Sequence, residues 1–302
     1  MSYLSNVFVS FLANMKTKFL KLIQQSLKLM LNFLLSNAFE LAKKVGSKVI
    51  VVITSKEVRE RSKDGVSIFV APKSYATLLE SAFWSEKEIE SKLVTISQAK
   101  EYIPTFLYLK GIELSGKVVG VLDIEAVKAI FISELDKSNM QKALMECAER
   151  VNSRALRSLL AISINIVQKG REGRKIGTAF IIGDEKEVLK RSRQLVLNPY
   201  EGHPVKDRDV KNPANWESIM EFSQLDGVFV LDREGIILCA GRYLDVQPKD
   251  VKIKKGLGAR HLACAAITRE TEAIAVVVSQ SGGDITIYKD GREILEINPS
   301  II

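Results

Sequence analysis

The run Lys48-Val49-Ile50-Val51-Val52-Ile53 restricts the architecture more than any other stretch. Continuous, apolar and rich in β-branched residues, it reads as a strand buried on both faces, and such strands belong to sheets covered by helices on either side. Helical and strand-like patterns alternate around it. Ala38–Val45 reads as helix, stopped by Gly46; Ser67–Ala71, Lys92–Ile96 and Val118–Asp123 read as strands; Lys73–Phe83 and Glu125–Leu135 read as helices. Residues 36–133 are therefore expected to form a small α/β domain with a mostly parallel sheet. They contain no Gly-x-x-x-x-Gly-Lys, no Gly-rich dinucleotide loop and no histidine, which points to a regulatory or assembly role.

A charged helical stretch, about Asp136–Lys169, leads into the remainder, residues 134–302. A basic turn, Gly170–Gly173 with Arg171, Arg174 and Lys175, precedes the strand pattern Ile176–Ile182 and reads as a solvated loop. Trp216–Phe222 is helical. Beyond it, two apolar runs flank Asp232-Arg233-Glu234-Gly235, the signature of a β-hairpin, and put Asp226-Gly227 at the mouth of its first strand. An isolated Asp-Gly is more often a turn than a metal site. Further on, Gly256-Leu257-Gly258-Ala259-Arg260-His261-Leu262 opens a helix. Two glycines there leave N–H groups uncovered at the positive end of a helix dipole, and Arg260 and His261 add side-chain donors, so the segment is a candidate polyphosphate cradle. The same residues also fit a glycine-flanked helix start with a solvated arginine and a core histidine. The run Val276-Val277-Val278-Ser279-Gln280 and a closing hairpin complete what reads as a mixed sheet with helices around it. The other histidine, His203, sits in a turn-rich loop with no accompanying carboxylate or cysteine motif.

Taken in order, Asp226-Gly227-Val228, the hairpin, Arg260-His261-Leu262 and Val276-Val277-Val278-Ser279 resemble the catalytic domain of the diadenylate cyclases over roughly residues 140–295, about half the chain. The resemblance implies synthesis of cyclic di-AMP from ATP, with two facing copies of the chain, because one domain offers one triphosphate cradle. It implies Asp226, beside Gly227 in the catalytic motif, as the ligand of Mn2+ or Mg2+, hard cations that suit oxygen donors. It further implies that Arg260 and His261, with the helix start at Gly258 and Ala259, hold the β- and γ-phosphates, and that Ser279 donates from the neighbouring strand. Gly241, Tyr243 and Leu244 would edge the adenine pocket, although a strand end with one half-buried aromatic explains them nearly as well. Three departures stand out: Val228 replaces an alanine, Leu262 replaces the family's second arginine, and Gln280 stands where many relatives have glutamate. Arg242 is a candidate substitute for the missing cation. The α/β domain ahead is similar to the C-terminal domain of pyruvate kinase, an arrangement of archaeal-type diadenylate cyclases.

Composition adds bounds. A chain of 302 residues with 46% hydrophobic and 26% charged residues has room for two cores and is not wholesale disordered. The formal net charge of +8 suits any polyanion, but no helix-turn-helix, zinc or aromatic RNA-binding signature accompanies it, so nucleic acid is not an expected partner. Three widely spaced cysteines are expected to be reduced, in the cytoplasm. Within residues 1–35, Lys16, Lys18 and Lys21 interrupt the apolar run before it reaches spanning length, so a membrane span is not expected. From Leu20 onward, Ile23, Leu27, Met30, Leu31, Leu34 and Ala38 recur at helical spacing, an amphipathic helix expected to pack on its own domain or on a partner subunit, with binding to a membrane surface the lesser alternative. The rival to an active cyclase is a nucleotide or cyclic-dinucleotide sensor in which Leu262 and Gln280 mark lost catalysis.

Overall fold

Val49–Thr54, the run expected to be covered on both faces, is strand β1 of a mixed five-stranded sheet. The computed structural model describes residues 26, 29–73, 75–77, 79, 88–113, 115–125, 127–170, 175–247, 251, 253–254 and 256–299. They divide into two compact units, one of residues up to Lys100 with Gly116–Glu134, the other of Glu101–Ser115 with residues from Leu135 onward. The sequence reading keeps all of 36–133 together; the division instead gives Glu101–Ser115 to the second unit.

In the first unit β2 (Arg61–Lys63), β3 (Val66–Val70), β4 (Lys117–Asp123) and β5 (Lys128–Glu134) join β1 in the order β2-β3-β1-β4-β5. β3, β1 and β4 are parallel, and both edge strands run antiparallel. A helix over residues 29–45, α1, covers one face: Leu31, Leu34, Leu35, Ala38 and Ala42 pack on Ile50, Val52, Val66, Ile68, Val119 and Val121. The expected stripe is thus partly shifted, because Met30 is exposed together with Leu29 and Phe33. Ile23 and Leu27 lie outside the described residues.

Two expected elements differ. Lys92–Ile96 is helix, not strand, within α2 (Glu88–Leu109). Apolar positions recurring through Ala99, Ile103 and Phe106–Leu107 impose helical periodicity that a short β-branched run does not override. Glu125–Leu135 is chiefly strand, not helix, because β5 pairs with β4 in a register that sets Phe131 opposite Gly120. A Cβ on Gly120 would stand 2.3 Å from the Phe131 ring, so the glycine is what admits it. At that end of the sheet Asp123, its side chain fully buried, accepts from Lys56 Nζ at 2.7 Å and lies 3.4 Å from Lys128 Nζ.

The second unit is built on a seven-stranded sheet. Its elements are α3 (Asn139–Ala148), α4 (Ser153–Lys169), β6 (Thr178–Ile182), α5 (Glu185–Lys190), β7 (Ser192–Gln194), α6 (Trp216–Phe222), β8 (Val228–Leu231), β9 (Ile237–Leu244), α7 (Ala259–Glu270), β10 (Ile274–Val278), β11 (Ile285–Lys289) and β12 (Arg292–Ile297). The strand order is β12-β11-β10-β6-β8-β9-β7, with β6 and β8 the parallel pair. The mixed sheet is the one the sequence implied.

Alternation along the strands separates two faces. Ala179, Ile181, Val228, Val230, Ala275 and Val277 pack with Cys264, Ala265 and Ile267 of α7. On the other face Phe180 and Phe229 lie with ring centroids 4.8 Å apart. The β8–β9 turn is fastened to the start of α4. Asn152 caps α4 by accepting from Arg154 N and Ala155 N; its own N–H donates to Arg233 O at 2.9 Å, and its side chain donates to Glu234 Oε2 at 2.8 Å. Such a cap stabilises a helix by about 1 kcal/mol. The three cysteines are buried and free. No helix among the described residues is long and apolar enough to cross a membrane, and the basic residues Arg171 and Arg174 lie outside them.

Candidate active site

The mouth of the β8–β9 hairpin faces the first turn of α7 across a cleft of about 450 Å3. Asp226 and Arg260 supply its opposite charges, and Val228, Leu244, Val246, Leu262 and Ala263 its apolar surface.

Asp226 arrives on the short connection from α6. Its side chain is 86% exposed, and its Oδ1 accepts from the N–H of Gly227 at 2.8 Å. Gly227 is required here twice over. Its φ of +100° is open to glycine, and a Cβ would stand 2.5 Å from the carbonyl oxygen of Arg242. The close approach brings Asp226 against β9, from which Tyr243 and Leu244 reach the cleft.

Arg260 projects from the opposite wall. Gly258 is the N-cap residue of α7 and makes no side-chain cap bond, so the first turn presents uncovered N–H groups, as expected for an anion-binding helix start. Arg260 is 28% exposed; its Nη1 donates to Gly177 O at 2.9 Å, and its Nη2 stands 3.7 Å from Asp226 Oδ1. A guanidinium held by one carbonyl and one exposed carboxylate keeps donors for a phosphate.

His261 does not line the cleft. It is only 4% exposed, packed into the domain with its Nδ1 3.0 Å from Tyr288 Oη, and its Nε2 is buried without a partner. Burial, and then the neighbouring Arg260 charge, hold its pKa below the ordinary value, so the ring is neutral. Of the two readings the sequence left open for this residue, the core histidine is the one the geometry supports.

The other expected residues divide. Gly227, Tyr243, Leu244 and Ala259 line the cleft, and Gly258 opens the helix beside it. Gly241, with φ +70°, is not among the residues that line the cleft; a Cβ there would stand 2.5 Å from the Val196 side chain. Ser279 is buried at the end of β10 and pairs with Ser281 at 3.4 Å, while Gln280 is exposed. Neither lines the cleft; Gln280 instead packs its Cβ near Gly177. Arg242, the candidate substitute cation, borders the cleft, but its guanidinium donates to Leu189 O, Ser192 O and Ser192 Oγ at 2.8–3.0 Å. Those bonds hold the edge strand β7 and leave Arg260 as the accessible cation. His203 is exposed in its loop and borders no part of the cleft.

Val246, Ala263 and Gly177 were not foreseen, and Leu262 registered only as an absent arginine. Its position one residue past His261 was the available signal. Helical neighbours diverge by about 100°, so an inward residue 261 turns 260 and 262 outward. As for a metal, no group of three His, Cys, Asp or Glu among the described residues is placed to hold one. Asp226 is a single exposed carboxylate, which fits a magnesium-like ion that takes its other ligands from phosphates and water.

Known proteins are similar to this chain over both of its parts. Residues 166–293 match the family model described as "DisA bacterial checkpoint controller nucleotide-binding", and residues 33–136 match one described as "Probable sensor domain". The diadenylate cyclase of Methanocaldococcus jannaschii is 37% identical over 202 residues, covering 64% of this chain and 63% of that protein. That of Haloferax volcanii is 43% identical over 152 residues, covering 49% and 55%. The chain thus spans less than two thirds of the length of either relative. A solved structure of DacA from Staphylococcus aureus overlaps 47% of this chain and 86% of its own, at 20% identity and a TM-score of 0.34. The nucleotide-binding family model falls on the unit that carries the Asp226–Arg260 cleft, and both of these curated relatives, to which the chain is similar, are diadenylate cyclases.

Proposed function

We propose that the chain condenses two ATP molecules into cyclic di-AMP with release of two pyrophosphates. The observation that carries the reading is that Asp226 and Arg260 face one another, 3.7 Å apart at Nη2 and Oδ1, across a single cleft with apolar walls.

In each half-reaction a ribose 3'-oxygen attacks the α-phosphorus of the other nucleotide. The new P–O bond forms as the bond to pyrophosphate breaks, and the hydroxyl proton leaves. Val228, Leu244 and Val246 take the adenine by shape and dispersion, with Tyr243 at the rim. Arg260 and the uncovered N–H groups of the first turn of α7 hold the triphosphate, and Asp226 stands where the hydroxyl proton departs. A bound Mn2+ or Mg2+, held by Asp226, would neutralise phosphoryl charge and make the hydroxyl more acidic. Asp226 would then exchange its contact with Arg260 for the cation, and Arg260 would turn to phosphate.

One cleft takes one nucleotide, whereas the ring contains two. A second copy facing the first therefore completes the site, each contributing its ATP, and a twofold axis makes both half-reactions equivalent. Residues 36–133 serve regulation or assembly in this reading.

A second reading, a nucleotide or cyclic-dinucleotide sensor with little turnover, draws on Leu262 in the cleft wall and on Arg242 being engaged by backbone. Incubation of the purified protein with ATP and Mn2+ or Mg2+, followed by chromatography for cyclic di-AMP and pyrophosphate, separates the two. Bound nucleotide with no product would establish the sensor.

A further inference from the structure

We propose that Tyr288 is a positioning residue for the cleft: by donating its hydroxyl hydrogen to His261 Nδ1 it fixes the rotation of the first turn of α7, and with it the direction of Arg260 and Leu262. The positioning role rests on the cleft being a triphosphate site; the hydrogen-bond geometry stands apart from that reading.

The first turn of α7 has few fixed points. Gly258 makes no side-chain cap bond, and a Cβ there would meet nothing within 4 Å. Gly256, just upstream, is equally open, at φ +93°. Among the described residues, the side-chain hydrogen bonds that tie the turn to the sheet are Arg260 to Gly177 O and His261 to Tyr288 Oη. The first involves the group that must be free to meet a phosphate. The second is buried.

Its location makes it a rotational stop. Arg260 and Leu262 flank His261 in sequence, so on a helix they point about 100° to either side of the imidazole. Both line the cleft while His261 points into the domain. Turning the helix to release the imidazole would carry one flanking side chain toward the core and the other away from the cleft. Tyr288 is 1% exposed on β11, in the same buried cluster as Cys264 and Ala265 of α7, so the stop itself is rigidly seated.

The direction of the bond follows from counting donors. If Tyr288 donates to Nδ1, the neutral ring carries its hydrogen on Nε2, and one buried group lacks a partner. If instead Nδ1 donates to the tyrosine oxygen, both the tyrosine hydrogen and the Nε2 lone pair go without. Unmet buried polar groups are costly, so the first arrangement is favoured.

The chain has two histidines, which makes nitrogen NMR of the 15N-labelled imidazoles a direct test, with exposed His203 as internal reference. At pH 7.5 His261 should show the neutral Nε2–H tautomer with a hydrogen-bonded Nδ1. Tyr288→Phe should abolish the Nδ1 hydrogen-bond shift, lower kcat/KM for cyclic di-AMP formation about tenfold, and weaken binding of a non-hydrolysable ATP analogue, with the folded fraction unchanged. In a His261→Asn background the same substitution should have no further effect on kcat/KM, because the two residues act as one unit. A hydrogen on Nδ1 in the parent protein overturns the proposal, as does Tyr288→Phe with parental kcat/KM and parental analogue binding. Should the parent bind analogue but form no product, the cyclase reading fails while the NMR and binding arms still decide the role of Tyr288.

Discussion

The carbonyl oxygen of Gly177 accepts a hydrogen bond from Arg260 Nη1 at 2.9 Å, joining the start of β6 to the accessible cation of the cleft. A Cβ at residue 177 would stand 3.0 Å from that nitrogen and 2.8 Å from Gln280 Cβ. Gly177→Ala should therefore displace the guanidinium and, because Gln280 Cβ and N cannot swing aside, also lower the thermal midpoint, so turnover is compared at a temperature where the variant is fully folded. Steady-state kinetics should show turnover down by about 10-fold or more, since ångström-scale misplacement of a binding group costs that much. Parental turnover would show that this contact does not set the working position of Arg260.

Asp226→Asn removes a charge that is almost entirely in solvent, so the thermal midpoint should stay within about 2 °C of the parent. Cyclic di-AMP formation should fall by about 100-fold or more, as expected when a charge that acts in the transition state is lost. Product formation at the parent rate would remove Asp226 from the chemistry.

Leu262→Arg places a second guanidinium in the wall of the cleft that Arg260 also lines. Calorimetric titration with a non-hydrolysable ATP analogue should show affinity about 3- to 10-fold higher at low ionic strength, with the gain shrinking as salt is added. No change in affinity would place residue 262 away from the triphosphate.

In the first unit, Asp123→Ala leaves Lys56 and Lys128 beside an emptied, buried position. Loss of one partner from such a cluster costs about 3 kcal/mol, read as a lower denaturant midpoint. A change below about 1 kcal/mol would mean that the lysines recover their hydration fully.

Burial pushes the pKa of His261 below its ordinary value of 6.5, while the unfolded chain keeps that value. Below pH 6.5 the unfolded state therefore binds a proton that the folded state refuses. Stability should fall as the pH drops from 6.5 toward the lowered folded value and level off above 6.5. Urea midpoints of the parent at pH 5.5 and 7.5 should differ more than those of His261→Asn; equal differences would assign the pH dependence to other groups.

The parts of the molecule legible in the sequence are those whose signals are local. Trp216–Phe222, the turn at Asp232–Gly235 and the helix start at Gly258 occur where spacing and turn residues put them, because neighbouring residues decide them. The nature of β5 was not legible, since it depends on Gly120 leaving room for a Phe131 that lies eleven positions away. The cleft was read in part for the same reason. Asp226 and Arg260 were recognisable from the order of the motifs that carry the family resemblance, but which of Arg260 and His261 faces inward is set by a tyrosine on β11, and the fate of Arg242 by backbone carbonyls of residues 189 and 192.

The β8–β9 hairpin is fastened at its turn, where Asn152 grips Arg233 and Glu234 and where a Cβ on Gly235 would stand 2.6 Å from Ala155 Cβ. Its other end carries Asp226, Tyr243 and Leu244. Mechanically it is a cantilever, clamped at the tip of the hairpin and loaded at the root. The load of a bound nucleotide is thereby carried to the start of α4 through strands that are themselves paired with β6 and β7.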